Sequence, residues 1–291
     1  MILIFGGNGQ LGQELARAAA RQSIPMKTLS HGEADIANPA AVAAALSGFN
    51  PALVVNAAAY TKVDLAETNI DEARLCNVTG PAVLARACAA AHVPLLHMST
   101  DYVFDGRKKG AYLESDAVGP LSVYGRTKAA GERAVRRALR RHVILRTAWV
   151  YSEFGNNFLK TILRLAASRT ELKVVADQHG TPTSARELAN AILRIAPRLS
   201  QDEDLWGTYH FTADGVTTWH GFACRVVAVQ APLTGRNPSV IPIRSQDYPT
   251  AARRPANSQL DCRLFARVFG FFGRHWAEAV DTTTVALITS S

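Results

Sequence analysis

Met1-Ile2-Leu3-Ile4-Phe5-Gly6-Gly7-Asn8-Gly9-Gln10-Leu11-Gly12 opens the chain. Five apolar residues halt at a cluster of glycines, and residues 13–21 then read as a helix. No basic segment precedes the apolar run, so a buried strand is expected there rather than a signal peptide. Gly7, Gly9 and Gly12 match G-x-G-x-x-G, and Gly6, Gly9 and Gly12 match G-x-x-G-x-x-G. A strand before and a helix after is the setting that gives either pattern meaning. Glycine lets the backbone turn sharply and lets a pyrophosphate approach the helix N-terminus, where free N–H groups and the dipole hold it. The stretch predicts the first βα unit of a dinucleotide-binding fold.

Outward from it, strands and helices alternate. Strands are expected at 26–29, 52–56, 93–98 and 142–147. Helices are expected at 39–47, within 66–91 with a break near Gly80-Pro81, from Tyr124 onward, and at 159–167. Such alternation implies a parallel sheet with helices on both faces, the α/β doubly wound class. Beyond about residue 170 the pattern loosens. Short strands are expected at 172–176, 207–212 and 240–243. Helices are expected at 183–199 (ending by Pro197), at 218–229 capped by Thr217 or Thr218, and within 258–269. The division expected is a Rossmann domain over 1–150 and a smaller α/β substrate-binding lobe over 151–291, with part of 190–215 returning to the first.

Composition narrows the partners. The chain has 291 residues, 48% of them hydrophobic and 19% charged, which suits a large globular core. No apolar run reaches the ~20 residues of a membrane span. The four cysteines are scattered, so neither a metal knuckle nor a disulfide framework is suggested, and a cytoplasmic setting is expected. A net charge of +8 fits a basic solvated surface or an anionic small molecule. No nucleic-acid-binding module is recognised, so no nucleic acid or membrane partner is expected.

Three clusters carry chemistry. Ser122-Val123-Tyr124-Gly125-Arg126-Thr127-Lys128 places a phenol and an ammonium four residues apart, on one helical face. A phenol of pKa ~10 is a poor acid-base group at neutral pH, and a neighbouring cation is expected to lower it. Ser99-Thr100-Asp101 follows a strand, where hydroxyls stand at the carboxyl end of the sheet; Thr100 is either catalytic or a turn former. Ala57-Ala58-Ala59-Tyr60-Thr61 follows another strand and lets a flat cofactor lie close. The tip of the second strand reads Leu29-Ser30-His31, without the acid that usually bonds a ribose 2′-hydroxyl, a weak lean towards NADP. Asn77 is either a structural cap or an amide that orders the site. The 107–119 loop is long enough to be functional.

With these segments placed, the chain resembles the extended short-chain dehydrogenase/reductase superfamily and, within it, the dTDP-4-dehydrorhamnose reductase family. The narrower resemblance is carried by Trp149, Gly180-Thr181-Pro182-Thr183 and Arg254-Pro255. It implies that a reduced dinucleotide, NADPH or NADH, supplies hydride to C4 of a 4-keto nucleotide sugar. Tyr124 then donates the proton, Lys128 tunes Tyr124 and bonds the nicotinamide ribose, and Thr100 holds the reacting oxygen. It implies cofactor contacts at Gly6, Gly9, Gln10, Leu11, Gly12, Asp35, Ile36, Ala59, Tyr60 and Thr61, besides Tyr124 and Lys128. Substrate contacts are implied at Thr100, Asp101, Tyr102 and Trp149, and Arg253 or Arg254 is the expected phosphate contact, with Arg254 preferred. Some family members dimerise around magnesium held by glutamates. Glu14 and Glu187 match two such positions, but 284–291 offers no carboxylate, so no metal site is assigned and a homodimer is left open. Two other readings stay open: another nucleotide-sugar reductase or epimerase, and a dinucleotide-binding regulatory subunit without turnover.

Overall fold

The computed structural model describes residues 1–199, 201 and 205–290. In chain order the elements are β1 (Ile2–Phe5), α1 (Gln10–Arg21), β2 (Met26–Leu29), α2 (Pro39–Phe49), β3 (Leu53–Asn56), α3 (Ile70–Arg74), α4 (Gly80–Ala90), β4 (Leu95–Thr100), α5 (Val123–Ala138), β5 (His142–Thr147), β6 (Val150–Tyr151) and α6 (Phe158–Ala166). Then come β7 (Glu171–Val175), β8 (His179–Gly180), β9 (Thr183–Ser184), α7 (Ala185–Leu199), β10 (Gly207–His210), β11 (Thr217–Thr218), α8 (Trp219–Thr234), β12 (Ser239–Ile243), α9 (Arg263–Phe269) and α10 (Trp276–Thr289).

Six parallel strands form the main sheet in the order β10-β5-β4-β3-β1-β2. The order reverses between β1 and β3, the crevice where such sheets bind ligands. Successive strand residues face opposite sides, and β1 shows why its sequence is apolar throughout. Ile2 and Ile4 pack with α1, α7 and α9, whereas Leu3 and Phe5 pack with α2, α4 and α5. A strand covered on both faces has no polar side to show.

A second core gathers Tyr151, Leu159, Ile162, Leu172, Phe222, Val226 and Val280 from β6, α6, β7, α8 and α10, with β7 and β12 paired in parallel. The chain passes between the two cores more than once. α7 packs on α1, β10 extends the main sheet beside β5, and Phe265 of α9 lies in the first core. Of the stretch 190–215, residues 200 and 202–204 lie outside the described residues.

Three element boundaries differ from expectation. α7 continues through Pro197 to Leu199, because the first core holds its buried face, Leu188, Ile192, Ile195 and Leu199. No break occurs at Gly80-Pro81. A π-helical turn over 75–79 runs straight into α4, with Pro81 at its second position. Helix α10 was not anticipated, since its sequence is rich in threonine and lacks a sharp apolar stripe.

Candidate active site

The glycine turn sits at the carboxyl edge of β1. Gly6 has φ +90, and a side chain on it would stand 2.5 Å from the Ala58 nitrogen; a side chain on Gly12 would stand 2.3 Å from the Gly6 carbonyl oxygen. Gly6 and Gly12 are thus the glycines that the packing most demands, pressing the helix start against the turn, and a side chain on Gly7 would stand 2.9 Å from Thr28 Cβ. No side chain caps α1, so its first-turn N–H groups face the crevice beside the 57–59 backbone. This cradle fits the pyrophosphate of a dinucleotide. Gln10 accepts from Asn157 Nδ2 at 3.0 Å, tying the turn to the second lobe, and Leu11 packs on the first core. Ile36 is buried against Gly80, and Asp35 accepts from the Ala37 N–H at 2.9 Å. Glu33 folds back on Ser30 at the tip of β2, accepting from its N–H and its hydroxyl, each at 2.8 Å. The Ser30 bonds, with Lys27, lower its carboxyl to about 2. An acid therefore stands near the strand tip after all, three residues late in sequence, which weakens the lean towards NADP.

Asn77 lies in the π-helical turn and is not a cap. Its Oδ1 accepts from the Tyr60 N–H at 2.9 Å, while its Nδ2 donates to the Tyr60 carbonyl at 3.1 Å and to the Thr127 hydroxyl at 3.1 Å. One buried amide thus ties the Ala59-Tyr60-Thr61 segment to α5. Thr61 itself is exposed. A widened helical turn is a usual way to aim such a group.

Helix α5 carries the acid-base pair. Ser122 caps it, accepting from the Gly125 N–H at 3.1 Å, and Glu67 accepts from the Val123 N–H at 2.7 Å. Glu67 carries no motif, and sequence reasoning missed it. Lys128 is 2% exposed and donates to the Met98 carbonyl at 2.7 Å. Burial lowers its ammonium to about 8, against the raising effect of Glu132. The Tyr124 phenol does not show the lowered pKa expected of it. Burial pushes it up, outweighing a hydrogen bond from Thr100, and the Asp101 charge adds to the rise. Lys128 spends its bond on Met98, and a phenol raised above its ordinary ~10 stays protonated at neutral pH. Thr100 donates to Asp101 Oδ1 at 2.7 Å and accepts from the Tyr102 N–H at 3.1 Å. Burial raises Asp101 to about 6, against hydrogen bonds from Thr100 and Ser258. Tyr102 packs edge-on against Tyr124 with ring centres 5.8 Å apart.

Trp149 stands just past β5 with φ +48, in the left-handed region where a bulky residue is strained. It stacks on Trp219 at 3.7 Å and donates Nε1–H to Ser258 at 3.1 Å. Ser258 in turn donates to the His179 carbonyl at 3.3 Å. Arg254 pairs with both oxygens of Asp64, at 3.2 and 2.7 Å, and lies against the Tyr102 hydroxyl. Beside it opens a cavity of about 710 Å³ between α6, β7 and the 245–254 segment. Arg169, Lys173, Arg253 and Arg254 line it without a carboxylate, alongside Phe158, Ile162, Trp219 and Tyr248. The structure therefore brings Thr100, Asp101, Tyr102, Tyr124 and Arg254 together, whereas Trp149 bonds to Ser258 and stacks on Trp219.

Glu14 and Glu187 are each engaged by groups of this chain. Glu14 accepts from Ser152 at 2.8 Å and lies between Arg17 and Arg186, and Glu187 pairs with Arg274. Guanidinium groups occupy the charge a metal ion would need. Among the described residues no cluster of His, Cys, Asp and Glu suits a metal, and Ser291 lies outside them. Among them, too, no helix is long and apolar enough to cross a membrane.

Fold and crevice define a Rossmann-type oxidoreductase that uses a nicotinamide dinucleotide. Residues 1–288 match the family described as RmlD substrate binding domain. A dTDP-4-dehydrorhamnose reductase of Sinorhizobium fredii is 44% identical, over 99% of this chain and 97% of that one. A crystal structure of a dTDP-4-dehydrorhamnose reductase from Clostridium acetobutylicum superposes with a TM-score of 0.91 at 37% identity, covering 98% of this chain and 99% of that one. A Bacillus anthracis reductase of the same name, solved in complex with NADP, gives 0.90 at 32% identity over 98% of each chain. The chain belongs to the dTDP-4-dehydrorhamnose reductase family.

Proposed function

We propose that the chain reduces the C4 ketone of dTDP-4-dehydro-L-rhamnose to dTDP-L-rhamnose, in the cytoplasm, for cell-surface polysaccharide synthesis. The observation that carries the reading is the meeting of Tyr124 with Thr100, near which Arg254 lies against Tyr102 and also lines a cationic, aromatic-walled cavity. NADPH or NADH, when bound, supplies the hydride.

Tyr124 donates its proton to the oxygen that becomes an alkoxide at C4. Thr100 gives that oxygen a second hydrogen bond by turning its single hydroxyl proton from Asp101 Oδ1, where it rests at 2.7 Å, so that donors stabilise charge as it develops. Lys128 holds positive charge behind the phenol and its remaining donors face the ribose. Asp101 and Tyr102 shape the sugar pocket, and the Trp149–Trp219 stack forms its wall. In the cavity, Phe158 and Tyr248 offer surfaces to a base, and the cations suit a diphosphate. Arg253 has no carboxylate partner among the described residues, whereas Arg254 is already engaged by Asp64. Replacing either by alanine is expected to raise the nucleotide-sugar KM by roughly tenfold, the size of one charge-assisted hydrogen bond. An unchanged KM removes that arginine from the site.

Cofactor choice turns on Glu33. Its carboxylate, ionised at neutral pH, stands at the strand tip where a 2′-hydroxyl or 2′-phosphate lies. Glu33→Gln is expected to raise the NADPH-to-NADH ratio of kcat/KM several-fold, and an unmoved ratio rejects the role. The reaction itself is tested by reduced-dinucleotide oxidation with dTDP-4-dehydro-L-rhamnose and product analysis against other 4-keto sugars.

A further inference from the structure

Glu132 is 1% exposed and takes no part in the reaction above, yet it lies on α5 four residues beyond Lys128 and eight beyond Tyr124. Positions so spaced share a helix face, so phenol, ammonium and carboxylate form a column. Three successive residues of β4 meet that column. The Met98 carbonyl accepts from Lys128 at 2.7 Å, the Ser99 hydroxyl donates to Glu132 Oε1 at 2.6 Å, and the Thr100 hydroxyl lies against the Tyr124 phenol.

The carboxylate is also held from behind. Arg146 of β5 forks onto it with Nε at 2.8 Å and Nη2 at 2.7 Å, and Arg136 adds a bond at 2.8 Å. Arg146 is itself 2% exposed; its Nη1 meets His210 Nε2 of β10 at 3.3 Å, and its guanidinium lies 5.1 Å from the Phe104 ring centre. One carboxylate therefore fastens the catalytic helix to two strands of the sheet, with a third one bond away. Sliding or turning α5 breaks charge-assisted bonds in a dry interior, where they are strong.

From this geometry we propose that Glu132 is a positioning residue for the reduction. Through the Ser99 hydroxyl it sets α5 against β4 at the spacing where Tyr124 and Thr100 converge on one reacting oxygen. The proposal rests on the roles assigned above to Tyr124 and Thr100. Ser99 is the place to test it, because Ser99→Ala leaves Glu132 bonded to both arginines and the fold intact.

The holoenzyme carrying Ser99→Ala is expected to lose about tenfold or more in kcat, as a displacement on the order of 1 Å at reacting groups does. KM for both substrates and the Kd for NADPH are expected to stay within about twofold, and the thermal midpoint close to wild type. Ser99→Thr keeps the hydroxyl and is expected to recover most of the rate. The proposal is overturned by a kcat for Ser99→Ala within about twofold of wild type. It is also overturned by a loss that Ser99→Thr does not recover, or one that lowers cofactor affinity and thermal midpoint together. Tyr124→Phe, assayed beside them, separates the two levels: full activity there rejects the proton donor itself, whereas an inactive Tyr124→Phe with a fully active Ser99→Ala rejects the positioning alone.

Discussion

Tyr124→Phe is expected to lower kcat by about 10²–10⁴-fold, the range that a positioned general acid contributes, with the Kd for NADPH nearly unchanged. The hydroxyl is the only group removed, and the ring keeps its edge-on contact with Tyr102. Burial holds the phenol protonated at neutral pH, and Thr100 lies against it. Without it the C4 alkoxide meets the Thr100 hydroxyl but no acid, so the barrier rises in the chemical step rather than in binding. Stopped-flow oxidation of NADPH, with fluorescence titration of the dinucleotide, reads the two quantities separately. Oxidation at the wild-type rate would falsify the assignment; tight dinucleotide binding without any wild-type turnover points first to a different keto sugar.

The largest stability effect is expected at the other end of the same helix face. Glu132→Ala strips Arg146 of both its bidentate partners while the guanidinium stays buried. Burial by itself raises the Glu132 carboxyl, yet Arg146, Ser99 and Arg136 bring it down to about 2, so the pair is ionised throughout the neutral range. Breaking such a pair from one side costs about 3–5 kcal/mol. Urea unfolding is expected to show a lower midpoint at an unchanged slope. Replacing both members with methionine is expected to recover most of the loss, since no charge is then left unpaired. A Glu132→Ala midpoint equal to that of wild type rejects the account.

The parallel α/β architecture, the glycine turn and the shared helix face of Tyr124 and Lys128 were all legible in the sequence, because each rests on local rules. Strand β1 had to be apolar on both faces, the turn needed glycine where backbone meets backbone, and a four-residue spacing puts Tyr124 and Lys128 on one side of a helix. What escaped are contacts between residues distant in the chain. Asn77 reads as a cap or an ordering group until Tyr60 and Thr127 are seen around it. Glu67 carries no motif, yet it caps α5 from 56 residues away. Glu33 lies past the position where an acid is usually sought, and only the turn of the backbone brings it to Ser30.

Electrostatics divide along the same line. The sequence by itself determined that a phenol and an ammonium share a face, since helical geometry requires nothing beyond the spacing. The direction in which each titrates was decided by tertiary structure alone. Burial raises Tyr124 and lowers Lys128 to about 8, and it is the packing of α5 on β4 that removes Lys128 from water and leaves Tyr124 half-buried. Spacing is a property of one helix, whereas desolvation is a property of everything packed around it.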